Sequence, residues 1–149
     1  MSFDRRTLIP ILAGALGVIA VLAAGAASAA PMVTGAWSRP ATAGATGVGF
    51  MTLRNPDRTA DALVAVESPL AARVEIHRSS LSGGMAMMQM SPRVPLPAGG
   101  VVTFAPGGFH LMFLNLSRPL KLGDRLPATL VFASGARIKV RFGVALAAP

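Results

Sequence analysis

Cysteine is absent from the 149 residues. That excludes a disulfide framework, a thiol nucleophile, a thiol redox pair and a thiolate metal ligand. It also excludes the usual electron-transfer copper site, which needs two His and one Cys. Histidine is nearly absent, with only His77 and His110. Charge is sparse at 13% of residues, and only 6 residues are acidic. No GxSxG stretch occurs, and neither histidine has an acidic residue at a spacing that marks a hydrolytic triad. An enzyme is therefore not expected. A long helical period is missing after residue 30, which argues against a helical bundle.

What is present begins with an export signal. Arg5 and Arg6 precede an apolar run from Leu8 to about Ala24, and Ala27-Ser28-Ala29 has the small-x-small pattern of a cleavage site. We expect residues 1–29 to be a signal peptide and residues 30–149 to be one domain. The run is near the lower length limit for a membrane span, so cleavage is favoured over an uncleaved anchor. The 14 Lys+Arg less Arg5 and Arg6, and the 6 Asp+Glu less Asp4, leave the mature chain a net charge of +7. Its basic residues are scattered from Arg39 to Arg141 and form no nucleic-acid arm. Export also removes nucleic acid as a partner. The expected location is the periplasm, with the membrane nearby only by proximity or through an uncleaved signal.

The mature region reads as short alternating segments broken by turn residues, the pattern of a sandwich or barrel. "GVGFMTLRN" (47–55) ends at Asn55-Pro56-Asp57, and "DALVAVES" (61–68) follows. "RVEIHRSS" (73–80) and "MAMMQM" (85–90) flank Gly83-Gly84, which suits a tight reversal. "SPRVPLPAGG" (91–100) is a Pro-rich connection. "VVTFAPGG" leads into "GFHLMFLNL" (108–116), and "PATLVFASG" with "ARIKVRFGV" makes a closing hairpin around Ser134-Gly135. The count is about seven or eight strands.

Two of these strands hold both histidines. On 108–116, His110, Met112 and Leu114 share one face. On 73–80, Glu75, His77 and Ser79 share one face, so Glu75 is a candidate partner for the His77 ring. The hairpin brings four methionines, Met85, Met87, Met88 and Met90, back beside His77. If the two strands meet across the sandwich, two imidazoles and two thioethers come together. Such a neutral, soft set suits Cu(I), whereas Zn(II) and Fe(III) call for carboxylate or thiolate. Methionine is also the safer soft ligand in an oxidising compartment. A plain sandwich domain, with these side chains as core, is the alternative.

The spacing of His77, Met88, His110 and Met112 resembles the H-x10-M-x21-H-x-M signature of the periplasmic PCu(A)C copper chaperones. "AWSRP" (36–40), "MTLRNP" (51–56), "VEIH" (74–77), "PGGFHLM" (106–112) and the stretch from Leu116 to Asp124 are similar to that family's recurring blocks, in order. The resemblance covers about residues 33–144. It implies a cupredoxin-like β-sandwich that binds one Cu(I) through His77, Met88, His110 and Met112. It further implies delivery of copper toward the CuA centre in subunit II of cytochrome c oxidase, alongside Sco-type proteins. General periplasmic copper storage or scavenging is the alternative role. Two features depart from the pattern: Arg78 follows His77 where the family often has Met, and Met88 has three methionine neighbours.

Overall fold

The computed structural model describes residues 28–149. The expected signal peptide, residues 1–29, lies outside the described residues except for Ser28 and Ala29. Among the described residues no helix is long and apolar enough to cross a membrane.

The fold is all-β. Ten strands run as β1 (Met32–Ser38), β2 (Gly47–Arg54), β3 (Asp61–Glu67), β4 (Arg73–Ser82), β5 (Met85–Met90), β6 (Val94–Leu96), β7 (Val101–Phe104), β8 (Phe109–Leu114), β9 (Arg125–Phe132) and β10 (Arg137–Val144). They form one sheet in the order β5-β4-β8-β7-β2-β1-β10-β9-β3-β6, with β8 also pairing β2. The sheet curls until β3 returns against β4, giving the cupredoxin-like sandwich that was expected. Inside lie Met51, Leu53, Leu63, Phe104, Leu111, Phe113, Leu126, Leu130, Phe132 and Phe142, each 2% exposed or less. Burial of this apolar area is the main stabilising term for a chain without disulfides.

The count exceeds the seven or eight expected because two strands carry weak signals. β1 lacks clean alternation: Gly35 has φ 60° and the register with β2 shifts between Thr34 and Trp37. β6 is three residues inside the Pro-rich connection. Pro95 is tolerated there because β6 is an edge strand that pairs only with β3. The other expected segments form strands. The β4–β5 reversal is the two-residue loop Gly83-Gly84, with φ 59° and 76°. Two positive φ angles make the turn whose twist matches a hairpin, and glycine adopts them without strain. One expectation needs correction. The strands bearing His77 and His110 do not meet across the sandwich; β4 and β8 are neighbours within the same sheet.

Two packing details fix strand positions near the site. At Gly49 on β2, an added Cβ would lie 2.8 Å from Phe113 Cε2 and 3.3 Å from Phe142 Cε1. These rings pack edge-on at 5.6 Å and are fully buried, so neither yields easily. At the far end, the Asp61 carboxylate accepts hydrogen bonds from Ser134 Oγ (2.6 Å), Ser134 N (3.0 Å) and Ala62 N (2.8 Å). Partial burial pushes the Asp61 carboxyl up, but these bonds and the Arg93 charge outweigh it and hold the group below its ordinary value.

Gly49→Ala is expected to lower folding stability by about 1–3 kcal/mol, the usual cost of overpacking, as read by denaturant unfolding. An unchanged midpoint would show that the rings move aside. Asp61 is charged more readily in the folded chain than in the unfolded one. Its contribution is therefore present above the unfolded value of 3.8 and lost as pH falls below it. Asp61→Asn should lower the melting temperature at pH 7, and its gap from wild type should narrow progressively as pH falls below 3.8. A gap that persists in acid would mean that the charge is irrelevant.

Candidate metal centre

The β4–β8 register pairs His77 with His110 and Glu75 with Met112. Paired residues share a face, so these four project to one side, while Ile76, Leu111 and Phe113 project into the core. The imidazole centroids lie 5.9 Å apart, tilted by 34°. On the other flank, β5 pairs Met90 with His77 and Met88 with Ser79, which puts both sulfurs on the same face. Met85 and Met87 pair with Ser82 and Ser80 and face the other way.

Each imidazole is held by one nitrogen, and the other is left over. His110 is 6% exposed, and its Nδ1 lies 3.1 Å from the Gly108 carbonyl oxygen, an acceptor, so Nδ1 carries the proton and Nε2 is the free nitrogen. His77 Nε2 lies 2.8 Å from Glu75 Oε2. His77 Nδ1 is buried and has no hydrogen-bond partner among the described residues. An orphaned buried ring nitrogen is costly unless something fills its lone pair. Hydrogen bonds from His77 and then Arg73 hold the Glu75 carboxyl below its ordinary range. Arg73 Nε reaches Glu75 Oε1 at 2.7 Å, so the chain Arg73–Glu75–His77 orients the ring.

A shallow depression of about 230 Å³ opens over this face. Met88, His110, Met112 and Ser79 line it, with Arg39, Val48 and Phe50 on the far wall. Met85, Met87 and Met90 do not line it. His77 stands beside it, next to His110. Of the four residues singled out by spacing, the structure places Met88, His110 and Met112 on one depression and the His77 ring 5.9 Å from that of His110. It also adds Arg39, which spacing could not single out: "AWSRP" marked a block but gave no role to the arginine. Among the described residues no group of three or more His, Asp or Glu forms a hard-ligand cage. The donors on offer are two neutral nitrogens and thioether sulfurs, a set that fits a soft ion.

The family model described as "Putative lipoprotein LpqE-like" matches residues 32–144. This chain belongs to the LpqE-like family. A relative in Leifsonia xyli subsp. xyli, "Putative lipoprotein Lxx21020", is 30% identical over 135 residues, covering 87% of this chain and 81% of its own length. Among solved structures, CuI-DR1885 from Deinococcus radiodurans is 34% identical, with TM-score 0.64, and covers 81% of this chain and 82% of that one. The copper-bound PCuAC domain from PmoF2 superposes with TM-score 0.65 at 23% identity, covering 80% of this chain and 95% of that domain, which shows a shared fold. The PCuAC resemblance read from the sequence therefore holds for the LpqE-like chain.

The two hydrogen bonds assign opposite tautomers. At pH 8, in the metal-free LpqE-like protein, two-bond ¹H–¹⁵N correlation spectra are expected to show the Nε2–H form for His77 and the Nδ1–H form for His110. Glu75→Ala should release the His77 preference and leave His110 unchanged. The same tautomer on both rings would refute this arrangement.

Proposed function

We propose that this LpqE-like domain binds one Cu(I) and carries it through the periplasm. The ligands are His77 Nδ1, His110 Nε2 and the sulfurs of Met88 and Met112. The observation that supports this reading is the unpartnered, buried Nδ1 of His77, whose ring lies 5.9 Å from that of His110, which itself lines one depression with Met88 and Met112. Thioethers hold Cu(I) well and add little for a harder dication. Glu75, locked by Arg73, selects the His77 tautomer whose lone pair is on Nδ1, and the Gly108 carbonyl selects the His110 tautomer whose lone pair is on Nε2. The likeness to CuI-DR1885 at 34% identity supports the choice of ion.

Transport fits the site better than storage. Met88 is 56% exposed on an edge strand, so a partner's ligand can reach the ion without the core opening. The recipient in this reading is the CuA centre of cytochrome c oxidase subunit II, with Sco-type proteins as companions. That assignment rests on family resemblance. Relatives carry the name lipoprotein, but the 149 residues contain no cysteine sulfur for a thioether-linked lipid. We infer that the signal is cleaved to leave an N-terminus at Ala30. N-terminal sequencing of protein from the periplasm checks this, and an intact chain found only in membranes would overturn it.

The sulfurs are not equivalent. Met112 has no methionine neighbour on its strand, whereas Met90 shares the face of Met88. Losing an outer partner alone costs a metal site about 10–100-fold, so Met112→Leu should weaken Cu(I) binding at least tenfold. Met88→Leu should cost less, and Met88→Leu with Met90→Leu should approach the Met112→Leu loss. Leucine keeps the volume, so folding should hold. Anaerobic Cu(I) competition titration measures all three. Wild-type affinity in Met112→Leu, or the largest loss in Met85→Leu, would show this ligand set to be wrong.

A further inference from the structure

We propose that Arg39 sets the charge selectivity of the metal site, favouring a monovalent ion over a divalent one. The inference rests on the copper reading above and assigns a role to a residue outside the ligand set. Arg39 follows β1 and lines the depression together with Met88, His110 and Met112. Its guanidinium lies 5.8 Å from the centroid of Trp37 and 5.4 Å from that of Phe50. Those two rings are buried and pack at 4.8 Å with a 36° tilt, so they form a fixed platform. Attraction between the cation and the ring faces holds the guanidinium against the wall of the depression. Among the described residues Arg39 forms no ion pair.

The rest of the site does not cancel this charge. Imidazole and thioether ligands are neutral. The carboxylate on this face, Glu75, is already paired with Arg73 at 2.7 Å. The lining of the depression therefore carries one uncompensated positive charge. Repulsion scales with the charge of the bound ion, so a dication meets twice the penalty of a monocation at the same position. The thioethers already weaken binding of hard dications, and Arg39 adds a second, independent discrimination that acts on charge and not on softness. It also disfavours oxidation of bound Cu(I) to Cu(II) in the site.

The test compares the exported protein with Arg39→Gln and Arg39→Lys. Cu(I) affinity is measured by anaerobic competition, Zn(II) affinity by calorimetry, and the reduction potential of bound copper by voltammetry. In Arg39→Gln the ratio of the Zn(II) Kd to the Cu(I) Kd should fall about three- to tenfold, and the copper potential should fall with it. Arg39→Lys keeps the charge and should restore most of the ratio. The difference between wild type and Arg39→Gln should fade in 1 M salt, where screening acts within about 3 Å. Thermal melting and the emission of Trp37 show whether the platform is intact. An unchanged ratio in Arg39→Gln, an equal loss for both ions, or a change that salt does not touch would overturn the role of Arg39 and leave the copper reading standing. A wild-type chain that binds no Cu(I) would overturn both.

Discussion

The pairing of β4 with β8 governs the rest of this structure. Strand side chains alternate, so one register decides both what enters the core and what faces out. Ile76 opposite Leu111 and Val74 opposite Phe113 commit one face to the interior. His77 opposite His110 and Glu75 opposite Met112 are then forced onto the other. A slip of one residue would bury an imidazole in the core and expose Leu111. The hydrophobic effect that sets the register thus sets the imidazole pair at no separate cost. Gly49 serves the same end, because its missing Cβ lets Phe113 seat against Phe142 and so holds β8 in place.

Much of this was legible in the sequence, for reasons that differ by element. β10 alternates over its eight residues, β8 is a short apolar run, and the glycine pair at 83–84 permits essentially one kind of reversal. Period-two patterns and two-residue loops are strong local signals. β1 and β6 were not legible: β1 is interrupted by Gly35 and a register shift against β2, and β6 depends on a partner distant in sequence. β1 pairs in parallel with β10, more than 100 residues away, and β6 is kept as a strand by three pairings to β3. The mutual placement of His77 and His110 was half legible. Alternation put each on a face, but whether the strands lay side by side or across the sandwich is a matter of sheet order, which no local pattern encodes. Arg39 was not legible, since its position depends on where Trp37 and Phe50 pack.

The site also divides its donors by rigidity. His110 is buried and bound to the Gly108 carbonyl, and His77 is pinned through Glu75 to Arg73. Met112 sits on a central strand between β4 and β2. Met88 alone comes from an edge, on a strand whose six residues are all exposed. In the proposed site, three of the donors would be held by their neighbours and the fourth, Met88, would stand exposed on an edge strand, leaving one side open.

This division keeps function from drawing on stability. The ligand face and the core face are opposite sides of the same two strands, so the side chains that bind need not pack and those that pack need not bind. The sheet's other end strand, β6, is short, carries Pro95 and is thereby closed to further pairing. β5 has neither proline nor charge, and its outer backbone groups remain available. An unguarded edge is a hazard of aggregation in most proteins, and the net positive charge of the domain offsets it by keeping copies apart. The same charge does not repel an acidic partner. The strand that carries Met88 is thus also the end of the sheet whose outer backbone is unpaired and not blocked by proline.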